Sequence, residues 1–255
     1  DDLWSYLTIG GPYTRKTYES EFTDVSIELS DLVEDVPAGV DTTNFYLRRY
    51  TDPYHGGTTS GDFFYAVETA NWVRNEGPRG ELIGMLNDGA AIVNFEGHGN
   101  RTQMTHEQLV LASSQTSAND MSLIQNVQRP FIFMGFSCEL SRFHDSREAT
   151  SIDCITEQMM RLGDGRGAVA AFACSGVAFL GPNALLHRKV YEAFFTDPTP
   201  GGEAPYFWPR WSIGGTLAKS MVKYLTDQGS SSLPQTYVLF GDPLMHVDMG
   251  APSIQ

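Results

Sequence analysis

"AAIVNFEGHGN", residues 90–100, decides how this chain is read. A short apolar run reads as a buried β-strand and ends where glycine takes over. His98 then stands between Gly97 and Gly99, with Glu96 just before it. Such a histidine is either a turn residue or a proton carrier displayed at the end of a buried strand.

Outward from this stretch, strands and helices alternate. "RPFIFMGFSCE", 129–139, predicts a strand with Pro130 tolerated at its start and Cys138 directly after the apolar run. "GAVAAFACSG", 167–176, predicts a strand of small residues, and "TYVLFGDPLMHVD", 236–248, a last strand and turn. Upstream, "LWSYLTIGG" predicts a strand over residues 3–9, stopped by Gly10, Gly11 and Pro12, and "NFYLRRY" another over 44–50. Helices are expected over 17–33, 63–74, 77–89, 149–162, 183–196 and 212–227, with Gly89 ending the third. In the fourth, Ile152, Ile155, Met159 and Leu162 share a face, and Cys154 is expected in the core. Residues 51–62 form a Gly/Thr/Asp loop, and Trp208 and Trp211 in a Pro-rich loop are expected to pack over the core edge. This alternation predicts an α/β fold, a mostly parallel central sheet covered on both faces.

Composition narrows the function. The 255 residues are enough for one large domain, with 41% hydrophobic residues and a formal net charge of −14. An acidic surface disfavours nucleic acid and anionic membranes, since phosphate binding needs clustered Lys and Arg. No stretch has the apolar length of a membrane span. Three cysteines, Cys138, Cys154 and Cys174, are too few for a disulfide framework and too widely spaced for a CxxC metal site. Either one pair forms or all three are free thiols. A chain that begins "DDLWSY", without Met, is expected to be a product of proteolytic processing.

In open parallel sheets, ligands gather outside the carboxyl ends of the strands. His98 and Cys138 both sit at such ends. If their strands are neighbours, thiol and imidazole face one crevice, the arrangement nucleophilic thiol chemistry needs. Gly97 and Gly99 would let the backbone approach a substrate carbonyl, and the amides of Gly99 and Cys138 could then hold an oxyanion. "GFSCE" is not a GxSxG elbow, because position 139 is Glu, which argues against a serine esterase.

"IVNFEGHGN" followed by "RPFIFMGFSCE" resembles the His and Cys blocks of the gingipain-type (C25 family, clan CD) cysteine peptidases, relatives of the caspases. "CITEQMMRLGDGRGAVAAFACSG", "TYVLFGDPLMHV" and "LWSYLTIGG" with "ESEF" resemble further blocks of that family, so the resemblance covers nearly the whole chain, least well at 51–76. It implies a single caspase-like (caspase–hemoglobinase) α/β/α sandwich over residues 1–255, with 51–76 an inserted loop region and the family's upstream subdomain absent from this chain. It implies a cysteine endopeptidase acting through an acyl-enzyme, with His98 as general base and acid and Cys138 as nucleophile. It also implies substrate contacts from Cys174, Ser175, Gly176 and Val177, with Phe179 a pocket wall.

A basic P1 side chain suits the resemblance, with Glu139, Asp145 and Asp62 as conceivable acidic partners. In the family an acidic residue from the upstream subdomain orients the histidine; here that third group is unassigned, so either the upstream portion supplies it or the protein works as a dyad, with Glu96 a minor candidate by its closeness in sequence to His98. "ELSRFHD", after Cys138, departs from the small, Gly-containing continuation of the family and is expected to reshape the pocket. The chemistry requires no cofactor; Asp52, Asp62 and Asp242 are oxygen ligands that could serve a structural calcium. His55, His106, His144, His187 and His246 are expected to be structural or solvated. The expected partners are a protein or peptide substrate and an upstream subdomain or partner chain from processing, in a secreted or cell-surface setting. Two other readings stay open: a catalytically silent gingipain-like binding or assembly module of a larger surface protein, and a peptide acyl-transferase.

Overall fold

The chain forms, in order, α1 (Ser20–Glu34), α2 (Glu76–Asp88), β1 (Ile92–Glu96), β2 (Gly99–Asn100), β3 (Gln103–Met104), β4 (Val110–Leu111), β5 (Phe131–Phe136), α3 (Ile155–Met160), β6 (Ala168–Cys174), α4 (Leu180–Tyr191), α5 (Ile213–Gln228), α6 (Leu233–Thr236) and β7 (Tyr237–Phe240). A 3₁₀ turn covers Asp120–Leu123, and a π turn, Glu192–Thr196, extends α4. This computed structural model describes residues 20–34, 42–45, 76–105, 108–112, 119–144, 152–196, 212–228 and 232–246. The strand expected over 3–9, most of that over 44–50, the 51–62 loop, the helix over 63–74, and Trp208 and Trp211 lie outside the described residues.

The main sheet has the order β1-β5-β6-β7. β5 pairs in parallel with both β1 and β6, and β7 closes the edge antiparallel to β6. Every residue of β5 is buried, as its unbroken apolar run requires of a central strand covered on both faces. Side-chain alternation divides the interior in two. Ile132, Met134, Phe136, Ala170, Phe172 and Cys174 face a core built with α1, α4 and α5. Phe131, Phe133, Ala171 and Ala173 face the opposite core, with Ile83 and Leu86 of α2 and Ile155 and Met159 of α3. Full burial of each phenylalanine contributes roughly 2–3 kcal/mol. The register slips once, Phe131 opposite Ala168 but Ile132 opposite Ala170, so Val169 is an extra residue in β6. The expected mostly parallel α/β sandwich is therefore present.

Small residues in β6 have a packing cause. A Cβ on Gly135 would lie 2.7 Å from Phe133 Cε1, 2.8 Å from Leu140 Cδ1 and 3.2 Å from the Cβ of Ala173. Strands β5 and β6 thus meet closely just below the end of β5. Gly167 is equally constrained: its φ is +75° and an added Cβ would lie 2.1 Å from the Met159 carbonyl oxygen.

Two helices differ from the sequence expectation. Among the described residues of the helix expected over 149–162, only Ile155–Met160 is α-helical, because bonds to Arg101 hold residues 152–154 outside it. Ile155 N–H donates to the Arg101 carbonyl at 2.8 Å, the Arg101 guanidinium donates to the Ile152 carbonyl, and Cys154 N–H donates to Glu157 Oε2 at 2.8 Å. Helix α4 starts at Leu180 rather than 183, since Pro182 falls in the first turn, where its missing N–H costs nothing. The last strand and turn, by contrast, are as expected: β7 ends at Phe240, and Asp242 Oδ1 then accepts from Leu244 N–H at 2.8 Å in a turn.

Candidate active site

The parallel register runs Ile92 opposite Ile132 through Glu96 opposite Phe136. Beyond those last partners, each strand continues by two residues to His98 and to Cys138. The contact persists past the ladder: a Cβ on Gly99 would lie 2.6 Å from Ser137 Oγ and 2.9 Å from Leu140 Cδ2. The backbone after the histidine therefore rests on side chains, Ser137 and Leu140, that flank the cysteine. Only glycine at 99 leaves room for that approach.

Downstream of His98 the chain makes a small antiparallel sheet, β2-β3-β4, that two-residue strands gave no pattern to predict. Thr105 N–H donates to the His98 carbonyl at 2.9 Å, while Gly99 stands opposite Met104. Residues 98 and 105 are thus the hydrogen-bonded pair, so the Gly99 N–H points away from β3 and is not used by it. Asn100 Oδ1 accepts from Thr102 N–H at 2.9 Å and closes the turn.

Cys138 is half-buried. Its sulfur lies 3.3 Å from the Ala178 carbonyl oxygen and 3.4 Å from the Ala178 nitrogen, across the crevice between the ends of β5 and β6. Two further bonds bind these ends together: Glu139 N–H to the Gly176 carbonyl and Ser141 N–H to the Cys174 carbonyl, both 2.9 Å. All three cysteines are free thiols, so no pair forms. Cys154 and Cys174 are sealed from solvent. Burial pushes the Cys154 thiol up to about 11. The Cys174 thiol is also raised, by burial first and in small part by Cys138 nearby.

The segment after β6 divides by exposure. Ser175 N–H and Oγ–H both donate to the Thr236 carbonyl, at 2.7 and 2.8 Å, continuing the antiparallel contact with β7. The Gly176 carbonyl is taken by Glu139. Val177 and Phe179, the residues on either side of Ala178, are left exposed, 61% and 72%. Glu139, in left-handed backbone at φ 55°, carries an ion pair: its Oε1 accepts from Arg142 Nη1 at 2.9 Å.

Other candidates fall elsewhere. Glu96 is fully buried and its Oε2 lies 2.8 Å from Nδ1 of His187, which is equally buried. The carboxylate is thus directed to α4 rather than held for His98. His187, expected to be structural or solvated, is a core residue. His144 is exposed, its ring edge-on to Phe143, and His246 is exposed and bridges Ser212. Asp242 is exposed; Asp52, Asp62, Asp145, His55 and His106 lie outside the described residues. Among the described residues, no group of three His, Cys, Asp or Glu side chains could hold a metal ion.

The profile of peptidase family C25 matches residues 4–248. The fold resembles that of the Arg-specific cysteine proteinase gingipain R, with a TM-score of 0.55 and 20% identity over 69% of this chain and 37% of that one. It also resembles the complex of Porphyromonas gingivalis RgpB pro- and mature domains, with a TM-score of 0.51 and 19% identity over 69% of this chain and 38% of that one. The chain thus spans well under half the length of the gingipain chains it matches. A search of curated proteins returned no match. The His and Cys blocks stand on adjoining strand ends of a sheet shared with gingipain R, inside a profile match that runs almost from end to end: this chain belongs to peptidase family C25.

Proposed function

We propose that this chain carries the catalytic machinery of a cysteine endopeptidase, with Cys138 as nucleophile and His98 as general base and then acid. The observation that supports this best is the close contact between Gly99 and Ser137, which holds the two blocks against each other at the carboxyl end of the sheet. The thiolate of Cys138 attacks the scissile carbonyl carbon and forms a tetrahedral intermediate. The amides of Gly99 and Cys138 hold its oxyanion, and such a donor contributes about 3 kcal/mol. The His98 imidazolium gives its proton to the leaving amine, and water attacks the acyl-enzyme to release the acid and restore the thiol. Extended substrate lies along Val177, beside the Ser175 and Gly176 backbone, with Phe179 on one side.

The test is cleavage of a degenerate peptide pool under reducing conditions, followed as the protein is titrated with iodoacetamide at about pH 8. Alkylation is expected at Cys138 alone in the folded protein. Cys154 is sealed and, with its thiol near 11, carries about 100-fold less thiolate than an ordinary cysteine. Activity should fall in step with Cys138 labelling. Activity that survives complete Cys138 alkylation would sink the proposal.

Specificity for Arg is a property of gingipain R. For this chain we propose a basic P1 preference that is moderated by Arg142, because a substrate cation must share Glu139 with it. Arg142→Ala is expected to raise kcat/KM for Arg or Lys at P1 on the order of 5-fold, the worth of about 1 kcal/mol in a partly exposed ion pair. The check is a paired comparison with an apolar P1 substrate, whose rate should not change. The likeness to a complex of pro- and mature domains supports an upstream processing partner, and family membership supports a secreted or cell-surface setting. No described helix is long and apolar enough to cross a membrane.

A further inference from the structure

We propose that Glu96 and His187 form a buried positioning pair that sets how the His98 and Cys138 strand ends sit against the substrate segment. This inference rests on the peptidase reading of the site above. Three observations carry it. First, both side chains are wholly buried and 2.8 Å apart, yet Glu96 Oε1 and His187 Nε2 have no hydrogen-bond partner. A pair this incompletely satisfied is poor as a stabilising device, because apolar residues of similar volume would fill the space as well or better. Its advantage is direction: a hydrogen bond specifies where two elements meet, whereas apolar side chains can slide.

Second, one imidazole touches both catalytic strand ends. Glu96 and Phe136 are register partners and the last residues of β1 and β5, each two residues before His98 and Cys138. The His187 ring bonds the first and stacks on the second, with centroids 3.9 Å apart and planes 16° from parallel. Third, His187 belongs to α4, whose first turn follows the loop that carries Ala178, Val177 and Phe179. A parallel contact secures the same helix to the sheet edge: Tyr237 Oη–H donates to Asn183 Oδ1. Tyr191 packs edge-on against the His187 ring at 5.0 Å and completes an aromatic enclosure with Phe136. Moving α4 along β1 would therefore carry the 177–179 loop past the Cys138 sulfur.

Four variants test this: Glu96→Gln, Glu96→Leu, His187→Phe and the double variant Glu96→Leu/His187→Phe. The double variant replaces both polar groups by apolar ones and is expected to fold even where a single variant does not. Two readouts are taken: the rate of Cys138 alkylation by iodoacetamide, and kcat and KM for a peptide cleaved by the unaltered chain. Glu96→Gln still accepts from Nδ1–H and should stay within about 3-fold on both. The double variant should lose about 10-fold or more in kcat and in alkylation rate, with KM within about 2-fold, the split expected when reacting groups are displaced but binding is not. Unchanged alkylation and kcat in the double variant, or a loss in Glu96→Gln as large as in Glu96→Leu, would overturn the pair's positioning role. If the unaltered chain cleaves nothing, the peptidase reading fails by itself, and the alkylation rates still decide for or against the pair.

Discussion

Cys138→Ala will abolish peptide cleavage while leaving the fold intact. The expected loss is a factor on the order of 10⁴ to 10⁶ in kcat, the range seen when a covalent nucleophile is removed and only binding and oxyanion stabilisation remain. Structural damage should be small, because the sulfur is half-exposed and its described contacts are two weak ones with the Ala178 backbone. Removing it should cost about 1 kcal/mol, a shift of roughly 2–4 °C in Tm. Cys154→Ala and Cys174→Ala are the controls and should behave in the opposite way. Both thiols are sealed in the interior, so those variants should lose stability without losing the reaction. The measurement is kcat beside a thermal melt for all three. Retention of cleavage by Cys138→Ala would end the assignment of the nucleophile.

The second large effect is expected at a glycine. In Gly99→Ala the new methyl would start 2.6 Å from Ser137 Oγ, 2.9 Å from Leu140 Cδ2 and 3.3 Å from the Gln103 carbonyl oxygen. The backbone φ at Gly99 is not in the left-handed region, so the obstacle is this collision and not a forbidden conformation. Ser137 Oγ and Leu140 Cδ2 are side-chain ends enclosed by the interior, so relief is expected partly from their turning aside and partly from separation of the His98 and Cys138 segments. A displacement of about 1 Å between reacting groups costs on the order of 100-fold in rate, and that is the fall in kcat expected. Ser137→Ala should restore much of it, because it removes the nearest colliding atom. Ser137 Oγ is buried without a hydrogen-bond partner, so its removal by itself should be neutral or stabilising. The double-mutant cycle reads the coupling directly. Additive effects of Gly99→Ala and Ser137→Ala would mean that the two blocks are not in contact in solution.

Both predictions concern residues that could be picked out from the order of amino acids. "FIFMGF" is apolar throughout, and such a run has few alternatives to a strand covered on both faces. "AIVNFE" is shorter, and its partner could not be named from its own residues. Where the prediction missed, the cause was an interaction distant in sequence or too short to leave a period. Residues 152–154 carry apolar spacing that fits a helix, yet bonds to Arg101 hold them extended. Strands β2, β3 and β4 have two residues each, which is too few for an alternation. Helix α4 begins three residues before the expected 183, with Pro182 in its first turn, a position that accepts proline.

The amino-acid order by itself determined the four strands of the main sheet and the longer helices among the described residues, the glycines flanking His98, and the position of His98 and Cys138 immediately after apolar runs. These follow from neighbours along the chain, whose hydrophobic period and backbone freedom act locally. Tertiary structure alone decided that β1 lies beside β5 and that Gly99 rests on Ser137. It alone directed Glu96 to His187, a partner 91 positions away, since a buried carboxylate goes to whichever hydrogen-bonding group the folded core brings within reach.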